Sequence, residues 1–84
     1  MSYDPDHDVK LLVAGMKRFA EQQSDGSYKT TFGVIFKDEV LEQQLESLVG
    51  TMKAARRKGF IDFEGQMLLQ GAHDNVVVTL KPGN

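Results

Sequence analysis

His7 and the aspartates beside it are the first residues whose types could do chemistry. Asp6 and Asp8 flank this histidine, and Asp4 stands three positions before it. Imidazole nitrogens and carboxylate oxygens can bind a divalent metal, but this spacing matches no known metal-binding motif. Carboxylates also stabilise the positive end of a helix, and Asp4 followed by Pro5 predicts a helix start here. We therefore expect a helix N-terminus and no metal or cofactor site.

His73 and Asp74 are the second candidate, because together they resemble half of a catalytic dyad. No serine stands in a nucleophile elbow, and adjacency in the chain does not create the geometry that a dyad requires. The sequence also lacks the glycine-rich loops that bind nucleotide phosphates. We predict that the chain is not an enzyme, and that His73 braces its loop by hydrogen bonding to backbone near Gly71.

The third candidate is a cluster of four of the ten basic residues, made up of Lys53, Arg56, Arg57 and Lys58. In one interpretation these cations complement the negative end of a helix dipole, since glutamates stand toward the other end of the same region. In the other interpretation they form a contact patch for an acidic partner, either a phosphate backbone or an acidic protein surface. The chain carries a formal net charge of −2, so we favour an acidic protein over a nucleic-acid duplex.

Length and composition limit the remaining classes of protein. The chain has 84 residues, of which 40% are hydrophobic, and these values predict one domain over residues 1–84 with a core at about 8–80. The absence of cysteine excludes disulfides, thiol catalysis and thiolate zinc sites. No apolar run approaches the roughly 18 residues that a membrane span needs. We expect a soluble, cytoplasmic monomer that does not contact membranes.

The first half of the chain predicts a helix, a turn and a strand. Apolar residues recur at three- and four-residue spacing from Pro5 to about Gln23, which indicates an amphipathic helix that Gly15 weakens modestly. Residues 24–27 are typical of a turn. Aromatic and β-branched residues then alternate over 28–36 and predict a strand that Gly33 could end early.

The second half predicts a helical region followed by two strands. Asp38 can cap an amphipathic region that reaches about Lys58, where Gly59 stops it. Gly50 inside this region indicates either close packing of another backbone or a less regular helix. We expect strands at 60–63 and 76–80 and a flexible tail at 81–84.

The order of these elements predicts a small α+β domain. An N-terminal helix, a short strand, a helical pair ending in a basic helix and a two-stranded wing are compatible with a winged-helix arrangement. Winged-helix DNA-binding proteins place basic and base-reading side chains on the recognition helix. A winged-helix nucleic-acid-binding protein that uses the same cations therefore remains the alternative function.

Several strings follow one another along the chain: LLV at 11–13, DG at 25–26, FGVIF at 32–36, LVGTMKAA at 48–55 and LLQGAHD at 68–74. They cover nearly the whole chain, from about Asp8 to Leu80, and several strings in order are far more specific than any one. On these strings the chain resembles the Costars family, small proteins similar to the C-terminal domain of the actin-binding Rho-activating proteins of muscle.

The resemblance implies a winged-helix-like domain that associates with actin filaments or with an actin-binding regulator. It further implies a non-enzymatic role in actin dynamics and cell motility, and a cytoskeletal location. The family's basic run after its LVGT helix matches the cluster at 53–58, and its LLQG loop matches residues 68–71. The contact candidates are therefore Lys53, Arg56, Arg57, Lys58, Gln70 and His73.

Overall fold

The computed structural model describes residues 5–65 and 69–83. Within them, four helices surround one face of a four-stranded antiparallel sheet whose strand order is β1-β2-β4-β3. The elements, in chain order, are α1 (Pro5–Phe19), β1 (Glu21–Gln22), β2 (Tyr28–Thr31), α2 (Phe32–Lys37), α3 (Glu39–Gln44), α4 (Leu48–Arg57), β3 (Ile61–Phe63) and β4 (Val77–Leu80). The predicted α+β class is confirmed, and the winged-helix arrangement stays a prediction.

The first helix is shorter than its hydrophobic pattern predicted. It begins at Pro5 as expected but ends at Phe19, so the prediction of a helix to about Gln23 is wrong. The reason lies in the following turn, where Asp25 Oδ1 accepts hydrogen bonds from the Ser27 backbone N–H at 2.9 Å and from its hydroxyl at 2.6 Å. This turn closes a hairpin, and Glu21 is thereby paired with a residue of β2. The proposed cap Asp4 lies outside the described residues.

The strand predicted over 28–36 ends at Thr31, and helix α2 follows it directly. The prediction of a strand to residue 36 was wrong because Phe32 and Ile35 are three positions apart, a spacing that also puts two side chains on one face of a helix. Both side chains are fully buried. Two backbone hydrogen bonds tie the junction to the chain before β4: Phe32 N–H donates to Val76 C=O, and Gly33 N–H donates to Asp74 C=O, both at 2.9 Å.

The amphipathic region after Asp38 divides into two helices. Leu45 has extended backbone angles, and Ser47 caps α4 by accepting a hydrogen bond from Gly50 N–H at 3.1 Å. A Cβ added at Gly50 would meet only Ser47 among the described residues within 4 Å. Of the two explanations for Gly50, the less regular helix is therefore correct, because α3 ends at Gln44 and the Ser47 side chain caps the start of α4.

Glycine at position 15 permits a close approach between two helices. A Cβ added to Gly15 would lie 3.0 Å from both methyl carbons of Leu41, which is itself buried in the core. α1 and α3 can therefore pack more closely at this point than two side chains would allow. The modest loss of helix propensity that the sequence indicated is the cost of that packing.

The core lies between the helices and the inner face of the sheet. Strand residues alternate, so that Ile61 and Phe63 are buried while Asp62 between them is exposed. Against this face pack fully buried side chains from the helices: Leu12, Met16, Phe32, Ile35, Leu41 and Met52. The strands predicted at 60–63 and 76–80 are confirmed, each beginning one residue later than expected. No helix in the two described ranges is long and apolar enough to cross a membrane.

Candidate partner-binding surface

Helix α4 presents the basic cluster because its other side is buried. Thr51, Met52 and Ala55 face the core, and this leaves the opposite side of the helix to polar residues. Lys53 and Arg57 are four positions apart, so they share that side. Arg57 is exposed and Lys53 is half-buried. Among the residues that the structure describes, no ion pair engages either of them. We call this pair the basic face.

Arg56 points elsewhere and is occupied within the chain. Its Nη1 donates hydrogen bonds to the backbone carbonyls of Phe63 at 3.1 Å and Gly65 at 2.6 Å. Its guanidinium carbon also lies 4.1 Å from the centre of the Phe63 ring, a distance typical of a cation–π contact. This side chain therefore holds the end of β3 against α4, and its role as a contact residue stays a prediction.

The bond from Arg56 occupies the outer edge of the sheet. Lys81 N–H donates to Phe60 C=O at 2.9 Å, so the Phe60 carbonyl points toward β4. Backbone groups on an antiparallel strand point alternately to either side, which turns the Phe63 carbonyl away from β4 and toward the open edge. Exposed edge groups invite pairing with another chain. Arg56 covers one of them.

Lys58 is also engaged within the chain. Its Nζ lies 2.6 Å from Oδ1 of Asp6, which links the end of α4 to the start of α1. The hydrogen bond from Lys58, and then its positive charge, lower the pKa of the Asp6 carboxyl. The four clustered cations therefore do not act as one patch: Arg56 and Lys58 bind other parts of the fold, and Lys53 and Arg57 form the basic face.

The loop that holds Gln70 and His73 is braced by its own side chains. Leu69 N–H donates to His73 Nδ1 at 2.8 Å, and Gly71 N–H donates to Asp74 Oδ1 at 2.8 Å. The predicted loop-bracing role of His73 is confirmed. Gln70 is exposed, and residue 68, the first of the LLQG loop, lies outside the described residues.

His73 does not lie with the basic cluster. It lines an open groove of about 670 Å³ together with Asp62 and Glu64, and none of the four clustered cations lines that groove. His73 and the basic face therefore lie on two surfaces of different charge. Within residues 5–65 and 69–83, no group of three or more histidine and carboxylate side chains could hold a metal ion.

The structure contains an ion pair between Arg18 and Asp38 that the sequence did not predict. Arg18 binds the carboxylate through both terminal nitrogens, at 2.9 and 3.2 Å. Asp38 also caps α3, as predicted, by accepting a hydrogen bond from Leu41 N–H at 3.0 Å. The cap could be read from the local sequence, but nothing in that sequence indicates a partner 20 positions away. The pKa of Asp38 is lowered, mainly by the hydrogen bond from Arg18.

Replacing Asp38 with Asn should make stability less dependent on pH at the acidic end. Asn retains the cap but loses the ion pair, whereas Ala loses both and should cost about 1 kcal/mol more through the missing cap. Because the folded pKa of Asp38 is lowered, its carboxylate stabilises the fold above about pH 4 and loses this effect as the pH falls through the folded pKa. Urea unfolding of the wild type and the two variants at neutral and at acidic pH measures the loss of the ion pair and the loss of the cap.

The matched control is Glu64→Gln, which removes an exposed carboxylate that lies outside the helices. The difference in unfolding free energy between the wild type and Asp38→Asn should narrow in acid, while Glu64→Gln should follow the wild type throughout. A gap of constant size at both pH values would contradict the role of the Arg18 pair.

Comparison with known proteins finds relatives that match nearly the whole chain. The family model described as Costars matches residues 4–81. A protein from Dictyostelium discoideum named Protein costars is 47% identical over 77 residues, covering 92% of this chain and 94% of its own. Costars family protein ABRACL from Xenopus laevis is 44% identical over 75 residues, covering 89% of this chain and 93% of its own. The solution structure of human HSPC280 protein superposes with a TM-score of 0.80 at 41% identity, covering 93% of this chain and 92% of that one.

Proposed function

This chain belongs to the Costars family, and from that membership we propose that it is a non-enzymatic regulator of actin dynamics and cell motility. Its partner is filamentous actin or an actin-binding regulator, and its place is the cytoplasm, with the cytoskeleton. It acts as a monomer. The match over residues 4–81 carries this proposal, because the name ABRACL of its relatives refers to actin-binding Rho-activating proteins.

The basic face is the part of the molecule that we assign to this partner. Lys53 and Arg57 lie side by side on the outer side of α4, while the neighbouring cations Arg56 and Lys58 bind other parts of the fold. Charges at the surface of an interface mainly steer encounter and select partners of opposite charge. A basic face on a chain of net charge −2 selects an acidic protein surface.

Nucleic-acid binding, the alternative left open by the sequence, is not favoured. A nucleic-acid-binding protein gains most of its affinity from several cations placed against phosphates. Here the cluster supplies two cations to solvent, since the other two are engaged within the fold. The family match adds no support for this alternative.

Reversing the charge of the basic face should weaken binding to filamentous actin. We expect the wild-type protein to pellet with filaments at low salt and to be released as salt rises, because screening weakens contacts between exposed charges. The double variant Lys53→Glu/Arg57→Glu should bind about tenfold more weakly or worse, equivalent to about 1.4 kcal/mol. High-speed co-sedimentation over a range of salt concentrations measures the effect.

The matched control is Lys17→Glu/Lys29→Glu, which changes the net charge equally at exposed positions on α1 and β2. It should pellet like the wild type. Equal pelleting of both double variants would show that the basic face does not bind filaments. If the wild-type protein does not pellet at low salt, the proposed partner is an actin-binding regulator and not the filament. Arg56 is unsuitable for this test, because its loss also alters the fold.

A further inference from the structure

A small apolar groove lies where α2 meets the break between α3 and α4. Its apolar lining includes Phe36, Leu41, Leu45 and Leu48, and Glu42 and Glu46 also line it. The cavity volume is about 190 Å³, which is below the roughly 300 to 1,000 Å³ of small-molecule sites. The groove is therefore suited to one or a few side chains of a larger partner.

The helix break creates this groove. Because Leu45 is extended and not helical, the chain leaves the axis of α3 before α4 begins, and a gap opens beside α2. Leu41 and Leu45 are buried and form its base, while Phe36 and Leu48 are half-buried and remain partly accessible to a partner. Burying such accessible apolar surface removes it from water, which favours association with an apolar side chain.

The charges beside the groove are negative. Glu42 and Glu46 are both exposed and are four positions apart, so an apolar side chain in the groove would have carboxylates within reach of its neighbours. No ion pair engages either glutamate among the described residues. Two carboxylates beside an apolar base disfavour an acidic segment and favour lysine or arginine next to an aliphatic side chain.

We propose that this groove binds a basic amphipathic segment of a partner protein. An aliphatic side chain of that segment packs against Phe36, Leu45 and Leu48, and flanking lysine or arginine side chains pair with Glu42 and Glu46. An amphipathic helix laid in an apolar groove is an established mode of peptide recognition. The proposal does not depend on actin binding, because the basic face and this groove carry opposite charges and select opposite partners.

The test uses a fluorescently labelled helix-forming peptide of leucine and lysine, about 15 residues long so that a helix can form. Fluorescence anisotropy should show saturable binding to the wild-type protein. The variant Glu42→Lys/Glu46→Lys should bind about tenfold more weakly. A peptide of leucine and glutamate should leave the amide chemical shifts of Phe36 and Leu48 in the wild type unchanged, whether or not it binds the basic face. The variant Glu21→Lys/Glu64→Lys changes the net charge equally at exposed positions away from the groove and should bind like the wild type.

Equal affinity of the two double variants would overturn the proposal, because attraction would then follow net charge alone. Amide chemical shifts perturbed by the peptide should centre on Phe36 and Leu48, and perturbations centred elsewhere would also overturn it. A wild-type dimer in sedimentation velocity that Glu42→Lys/Glu46→Lys disperses would make a second copy of the chain the occupant instead. Should charge reversal unfold the chain, Glu42→Gln/Glu46→Gln is the substitute, with a several-fold loss expected. None of these outcomes decides the actin-pelleting test, because that test changes the basic face and not the groove.

Discussion

Replacing Phe32 with Ala should lower the free energy of unfolding by about 3 to 5 kcal/mol. Phe32 is fully buried, and its ring meets that of Phe36 edge to face with 5.8 Å between centroids. Truncation removes the buried ring, leaves a cavity and removes the aromatic pair. A chain of 84 residues has a total stability of roughly 4 to 13 kcal/mol, so this one change removes a large part of it.

Urea unfolding followed by circular dichroism measures this loss. Val77→Ala is the control, because Val77 lies in β4 with 52% of its surface exposed, and it should change stability by less than about 0.5 kcal/mol. A loss of 1 kcal/mol or less for Phe32→Ala would mean that the start of α2 is not part of the core.

Replacing Arg56 with Ala should destabilise the fold by about 1.5 to 3 kcal/mol, the usual worth of hydrogen bonds to a charged group. The change leaves the carbonyls of Phe63 and Gly65 without their donor and removes the contact with the Phe63 ring. Arg56→Lys should recover only part of this loss, because a compact ammonium group lacks the planar guanidinium that lies on the Phe63 ring while its Nη1 donates to both carbonyls.

The control for Arg56 is its neighbour Arg57, whose exposed side chain can be replaced by Ala at a cost below about 0.5 kcal/mol. Urea unfolding of all three variants separates the cases. If Arg56→Lys is as stable as the wild type, a positive charge at this position is enough to hold β3, and the contact of the guanidinium with the Phe63 ring is not needed. A folded Arg56→Ala protein should also self-associate more at high concentration, because the outer edge of β3 is then uncovered.

The basic cluster shows why like charges that are close in sequence need not form one surface patch in the folded protein. Four cations within six positions predicted one contact patch. A helix turns by about 100° per residue, so neighbouring side chains leave it in different directions. Arg56 is directed at the sheet edge, Lys58 at α1, and Lys53 with Arg57 at solvent. The first experiments on partner binding should therefore change the last pair alone.

The sequence predicted correctly the features that depend on neighbouring residues. The Asp38 cap, the turn at 24–27 and the strands near Ile61 and Val77 follow from local backbone preferences and from hydrophobic spacing, which are present in the chain before it folds. The family was also predicted, since its strings are read directly from residue order. Even the bracing role of His73 is local, because its partner is four positions away.

Tertiary structure decided whatever depends on residues far apart in the chain. Phe32 to Phe36 alternates like a strand, and only packing of Phe32 and Ile35 into the core made it helical. The partners of Arg18, Arg56 and Lys58 are likewise chosen by how α1, α4 and β3 come together. The groove beside Leu45 exists because a buried leucine and a capping serine separate two helices. Periodicity shows which side of an element is buried, but the element that covers it is set only when the chain has folded.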